Sequence, residues 1–274
     1  MIKCHLDLIE LEKKAIPISP FHGRSKTIYD SSLGWITIKG GGWTWSKKFY
    51  LISKKDKHLV FGLYGEKDAK REIKVSNYLL ESKIRAGKVI GWTRLDHFTV
   101  NSNRIDISDI CFSDGSKVYP SLIAYHHIIP VRTADLSFMS HQERTKWIDL
   151  TCKSMNWSFE SYLTNFSRTL GMELARLHQL GGTNDTLTWD NITLAAEWTD
   201  FEWFYVPGIP LPDGTTCEMI EERQWKSCID AFEVVDKLAA LIEPNSRSKA
   251  IMDCLEGYEA ANGPINIRKD WCEY

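Results

Sequence analysis

An α+β fold in two parts is predicted by three observations. Strand-like alternation dominates from Gly34 to about residue 130, helical periodicity dominates beyond about residue 132, and one short hairpin interrupts the later helices. Residues 1–128 are therefore expected to form a β-rich lobe with one helix, and residues 129–274 a mainly helical lobe carrying the hairpin 184–204. A chain of 274 residues can bury the core that such a layout needs. The net charge of −2 argues against a nucleic-acid partner or an anionic membrane surface. There is no basic-then-apolar leader and no apolar run of the ~18 residues that a span requires, so a cytoplasmic protein with no membrane partner is expected. The seven cysteines are odd in number, scattered and without a C-x-x-C pair. They read as reduced thiols, neither a disulfide framework nor a zinc site.

Residues 1–30 carry little signal, and Pro17, Pro20 and Phe21-His22-Gly23 predict an irregular lead-in. Trp35-Ile36-Thr37-Ile38-Lys39 alternates apolar and polar residues, and Gly40-Gly41-Gly42 ends it. Two further strands are expected at 49–52 and 59–64. A helix is expected over 67–85, with Ile73, Asn77, Leu80 and Ile84 on one face and Gly87 as its stop. Strands at 89–100, 104–112 and 119–129 follow, with Asp114-Gly115 as a turn. In the second half, Phe166, Leu170, Leu174, Leu177 and His178 form a helical stripe that ends at Gly181-Gly182. His178 on that stripe reads as a core histidine. A Pro/Gly loop occupies 207–214, a helix covers 219–242 and stops before Pro244, and a last helix covers 247–261.

The most telling segment is Thr188-Trp189-Asp190-Asn191-Ile192-Thr193, followed nine residues after Asn191 by Asp200-Phe201-Glu202. Mg²⁺ prefers hard oxygen ligands, commonly one or two side chains completed by phosphates and water. An Asn amide oxygen and an Asp carboxylate at opposite ends of one hairpin, with Ile192, Leu194 and Ala196 as a short apolar strand between, meet that demand. The segment points to nucleotide-bound metal.

Several motifs resemble those of the selenoprotein O family in the same order over roughly residues 33–205. Trp35 to Gly42 resembles its W-x-L-x-L-K-G-A-G, Lys70-Arg71-Glu72-Ile73 sits at its I-R-E-Y-L, and Pro130-Val131-Arg132 resembles its S-H-I-R. Trp189 to Thr193 resembles T-D-N-M-S, and Asp200-Phe201-Glu202 resembles D-Y-G with glutamate replacing glycine. The resemblance implies a two-lobed protein-kinase-like fold that binds ATP in a flipped orientation and transfers AMP to hydroxyl groups. It implies that Lys39 reaches phosphate, that Glu72 orients Lys39, and that Arg132 also holds phosphate. The backbone of Gly40 and Gly41 would approach phosphate, and Lys47 or Lys48 would replace a family arginine. Asn191 and Asp200 would bind Mg²⁺, for which Mn²⁺ can substitute, and Asp190 would be the base.

Protein kinases place that base five residues before the metal-binding Asn. Here that position is Thr186, and Asp185 is one residue further back. The expected partners are ATP and an unidentified hydroxyl-bearing acceptor. Two other outcomes stay open: phosphoryl transfer to a small molecule or peptide, and a nucleotide-binding pseudokinase.

Overall fold

The computed structural model describes residues 7–19, 25–41, 64–100, 103–106, 119–185, 187–211 and 220–263. The strand expected at 49–52, most of that at 59–64, the turn at 114–115, and Gly42, Lys47 and Lys48 lie outside them. The described chain is mixed α and β, with a four-stranded antiparallel sheet preceding a set of packed helices. No described helix is long and apolar enough to cross a membrane.

The lead-in is more ordered than expected, containing α1 (Leu8–Lys14) and β1 (Ser25–Asp30). Asp7 caps α1 by accepting the Ile9 and Glu10 N–H groups, each at 3.2 Å. Strand β1 escaped the hydrophobic pattern because its inward positions are polar: Ser25 and Thr27 are buried, and Thr27 shares a 3.2 Å hydroxyl contact with Thr37. A turn held by the Asp30 carboxylate, which accepts the Ser32 and Leu33 N–H groups, leads into β2 (Gly34–Lys39).

Helix α2 (Glu66–Glu81) ends four residues short of the expected boundary, where Lys83 turns left-handed at φ 61°. Its buried face is Ala69, Glu72, Val75, Ser76 and Leu79, and Asn77 is exposed, so the expected stripe is rotated. The rotation brings one carboxylate inward. Gly87 does not stop the helix. A Cβ there would lie 2.5 Å from the His127 ring, so the glycine makes room for that side chain.

The strand expected over 89–100 is two strands, β3 (Lys88–Arg94) and β4 (His97–Val100), broken at Leu95-Asp96; β4 pairs with β5 (Asn103–Asp106). Strand β6 (Ser121–His127) completes the sheet in the order β1-β2-β6-β3. Its alternation divides the core. Leu122 and Ala124 join Ile36, Ile38 and Leu8 of α1 on one face, while Ile123 and Tyr125 join the main core with Val75 and Leu79 of α2.

The helical part comprises α3 (His141–Met155), α4 (Tyr162–Gln179), α5 (Ile220–Ile242) and α6 (Arg247–Asn262), with a two-stranded ribbon of β7 (Thr183–Asn184) and β8 (Phe204–Tyr205). Ser140 and Glu143 form a capping box on α3. The predicted α4 stripe is fully inside. Helices α4 and α6 meet backbone to backbone at two glycines. A Cβ on Gly171 would lie 2.0 Å from the Cys254 carbonyl oxygen, and one on Gly257 would lie 2.2 Å from that of Arg168. His178 is a core residue, as expected, with its ring nitrogens 2.8 Å from the Tyr258 hydroxyl and 2.8 Å from Ser227 Oγ. Burial lowers its pKa to about 3.

Gly171→Ala and Gly257→Ala should each push the two helices apart and cost about 1–3 kcal/mol, read as a lower midpoint in chemical denaturation. His178 stays neutral in the fold while the unfolded chain takes up a proton below about pH 6.5. The wild type should therefore lose about 2 kcal/mol relative to His178→Gln between pH 7 and pH 5, measured by urea titration.

Candidate functional site

Lys39 is the last residue of β2, where it pairs with Ser25 of β1 and Ile123 of β6. Alternation puts Ile36 and Ile38 under α1 and turns Thr37 and Lys39 toward α2. The Lys39 ammonium lies 2.9 Å from Glu72 Oε1 and 2.7 Å from Asp200 Oδ1, with side-chain exposures of 4%, 1% and 23% for the three groups. It also sits over the Tyr64 ring, 4.4 Å from the centroid. The Tyr64 hydroxyl donates to the same Glu72 oxygen. Glu72 Oε2 has no hydrogen-bond partner among the described residues. Burial, opposed by Lys39, raises the Glu72 pKa.

Asp200 holds a left-handed conformation, φ 57° and ψ 77°, at the head of the 3-10 turn Phe201–Trp203. Aspartate tolerates this region better than most residues with a Cβ. The hairpin before it is tighter than the expected strand. Ile192 pairs with Trp198 as an isolated bridge, Ala196 turns at φ 54°, and the Asn191 carbonyl accepts the Thr199 N–H at 2.9 Å. Asn191 and Asp200 thus stand at neighbouring ends of one closed loop. Ile192, Leu194, Ala195 and Ala196 are all buried, because the loop is enclosed by chain on several sides. Leu194 N–H donates to Val131 at 2.8 Å, Trp198 N–H to Arg85 at 3.1 Å, and the Tyr162 hydroxyl to the Leu194 carbonyl at 3.1 Å.

Among the described residues, no group of three or more His, Cys, Asp or Glu side chains is arranged to hold a metal. A Mg²⁺ site made of one Asn and one Asp, completed by phosphate and water, does not require one.

Asp190 lines a cleft of about 150 Å³ with Trp189, Asp230, Glu233 and Lys237 among its walls. Its carboxylate makes no hydrogen bond or ion pair to another described residue, while its carbonyl accepts from Arg132 Nη1 at 2.8 Å. Asp185 pairs with Arg223, and its carbonyl accepts from Lys226. Of the two aspartates near Asn191, the one beside it lines the cleft and the other is bound to α5.

The expected residues fall into distinct groups. Lys39, Glu72 and Asp200 meet directly. Arg132 meets Asp190 and holds its peptide in place. Gly40, at φ 105°, approaches β6 so closely that a Cβ would lie 2.2 Å from the Ser121 carbonyl oxygen. That contact accounts for one of the glycines. Gly41 stands against Glu12, which is engaged by Lys26.

Three residues escaped sequence reasoning. Tyr64 bonds Glu72 only eight residues further on, and Arg71, although it stands in the motif around Glu72, acts on carbonyls at least 130 residues away, which no local pattern shows. Arg71 donates to the carbonyls of Phe201, Glu202, Phe204 and Pro210. Glu197 is the third. Its Oε2 accepts Ile128 N–H at 2.9 Å and Ile129 N–H at 3.4 Å, joining the hairpin to the segment that leaves β6. The His127 ring nitrogen lies 3.9 Å from the same oxygen. Burial dominates these contacts and raises the Glu197 pKa to about 7.

Glu197 keeps its proton in the fold over a range where the unfolded chain has lost it, so stability should fall as pH rises through that window. Glu197→Gln retains a carbonyl acceptor without the titration. Between pH 5 and pH 7.5 the wild type should lose about 2 kcal/mol relative to that variant in chemical denaturation. No protein-family model matches this chain, and no curated protein matches it.

Proposed function

We propose that the protein is a Mg²⁺-ATP-dependent transferase with a two-lobed kinase-like fold similar to the selenoprotein O family, moving AMP onto a hydroxyl-bearing acceptor. The observation that carries this reading is the buried Lys39 ammonium touching both Glu72 and Asp200. In phosphoryl and nucleotidyl transfer, most of the catalysis is positioning and neutralisation of phosphate charge. A lysine set by a helix carboxylate, next to an aspartate able to take metal, supplies both. With ATP bound, Lys39 would give its charge to phosphate, Glu72 would keep it aligned, and Asn191 and Asp200 would hold the metal.

Asp190 is assigned as the base. It needs a carboxylate open to an acceptor hydroxyl; Asp190 lines the cleft and its carboxylate has no partner among the described residues, while Asp185 is engaged by Arg223. Arg132 holds the Asp190 peptide, which fixes the base relative to Asn191. The placement of the base next to the metal ligand supports AMP transfer.

Phosphoryl transfer from the same site is the second reading. It is favoured by the engagement of Arg132 with a backbone carbonyl, because the flipped nucleotide pose relies on arginine at phosphate. It is also favoured by Glu202 in place of glycine.

Incubation with α-labelled and γ-labelled ATP, with the chain itself as one acceptor, separates these readings. Retention of the α label supports AMP transfer, and retention of the γ label alone replaces it with phosphoryl transfer. Lys39→Met and Asp200→Ala should each lower incorporation on the order of 100-fold. Mg²⁺-ATP binding with no label on any acceptor would leave a nucleotide-binding pseudoenzyme, and no binding at all would remove the ATP reading.

A further inference from the structure

We infer that Arg71 is a positioning residue that latches the turn after Asp200 onto helix α2 and so keeps Lys39, Glu72 and Asp200 in register; the inference rests on the ATP-transferase reading. Arg71 precedes Glu72 on α2, and the two side chains leave the helix in different directions. Glu72 reaches Lys39, while the Arg71 guanidinium covers the 3-10 turn. Its Nη1 donates to the Phe201 carbonyl at 2.8 Å and the Glu202 carbonyl at 3.0 Å, Nε donates to Pro210 at 2.7 Å, and Nη2 donates to Phe204. All three nitrogens are used, and all four acceptors are backbone oxygens rather than carboxylates.

That choice of acceptor decides what the contact does. An arginine paired with one carboxylate fixes one side chain. An arginine forked across four carbonyls fixes the path of the main chain. The path in question begins at Asp200, whose left-handed backbone persists only where its surroundings over-determine it. A three-residue 3-10 turn has few bonds of its own to do this. The Arg71 fork supplies them from the same helix that supplies Glu72. Helix α2 therefore holds the Lys39 site by two adjacent residues, one through a side-chain ion pair and one through the main chain. Moving α2 away from the hairpin would break both together. A lysine at this position would keep the charge but not the planar fork.

The test uses the full chain, with Arg71→Met and Arg71→Lys compared with wild type and with Asp200→Ala. ATP affinity is measured by titration calorimetry with and without Mg²⁺, and amide hydrogen exchange is followed over 200–206 and over α4 and α6. The expected result for Arg71→Met is a loss of Mg²⁺-ATP affinity of about tenfold, with the affinity for metal-free ATP changed much less. Exchange over 200–206 should quicken while α4 and α6 stay protected, which separates a lost latch from a failure to fold. Arg71→Lys should recover only a small part of both effects.

Wild-type Mg²⁺-ATP binding together with unchanged affinity and exchange in Arg71→Met overturns the role given to Arg71 and leaves the ATP reading standing. Wild-type affinity in Arg71→Lys overturns the fork as the cause. A wild type that binds no ATP overturns the ATP reading, and the role of Arg71 at that site falls with it.

Discussion

A buried ammonium must be paired, and the architecture around Lys39 follows from that requirement. Its two carboxylate partners lie 33 and 161 residues away in the chain. Removing either would leave the ammonium inside a protein interior with half its compensation. The end of strand β2, helix α2 and the hairpin that ends at Asp200 are thus committed to one relative placement. The Tyr64 hydroxyl adds a bond to Glu72 and its ring lies beneath the ammonium, so one side chain contacts both members of the pair.

The hairpin between Asn191 and Asp200 is the second constraint. It contains two residues with positive φ other than glycine, Ala196 and Asp200, and its apolar side chains are wholly buried. Such a loop survives because its backbone groups are satisfied from outside. Val131, Arg85 and Tyr162 contact the loop backbone, Glu197 reaches out to the segment after β6, and Arg71 holds the turn that follows. Arg132 does the same for the peptide before Asn191. Polar groups that would be costly to bury alone are made into connections between segments distant in sequence.

Much of this was legible from residue patterns, and the exceptions share a cause. The α4 stripe, the core position of His178, the α5 and α6 spans and the strand ending at Lys39 all follow from local periodicity and turn residues. Strand β1 did not, because its inward residues are Ser25 and Thr27 and no hydrophobic alternation marks them. The face of α2 was misplaced because the inward residue is Glu72, a carboxylate that periodicity assigns to solvent. The expected strand after Asn191 became a tight loop because its apolar residues serve enclosure on several sides rather than pairing in a sheet.

The sequence by itself determined an α+β chain, the run of later helices, and the candidate residues Lys39, Glu72, Asp190, Asn191 and Asp200. Composition and period carry the first two locally, the spacing of Asn191 and Asp200 points to metal, and the resemblance to the selenoprotein O family singles out Lys39, Glu72 and Asp190. Only the tertiary structure decided that Lys39, Glu72 and Asp200 touch, and that Asp190 rather than Asp185 opens to a cleft. It also decided that Arg71 spends its donors on backbone and that Arg132 gives one of its own to the Asp190 carbonyl. Those choices depend on which buried polar groups find partners across long stretches of chain, and desolvation enforces that pairing only once the chain has folded.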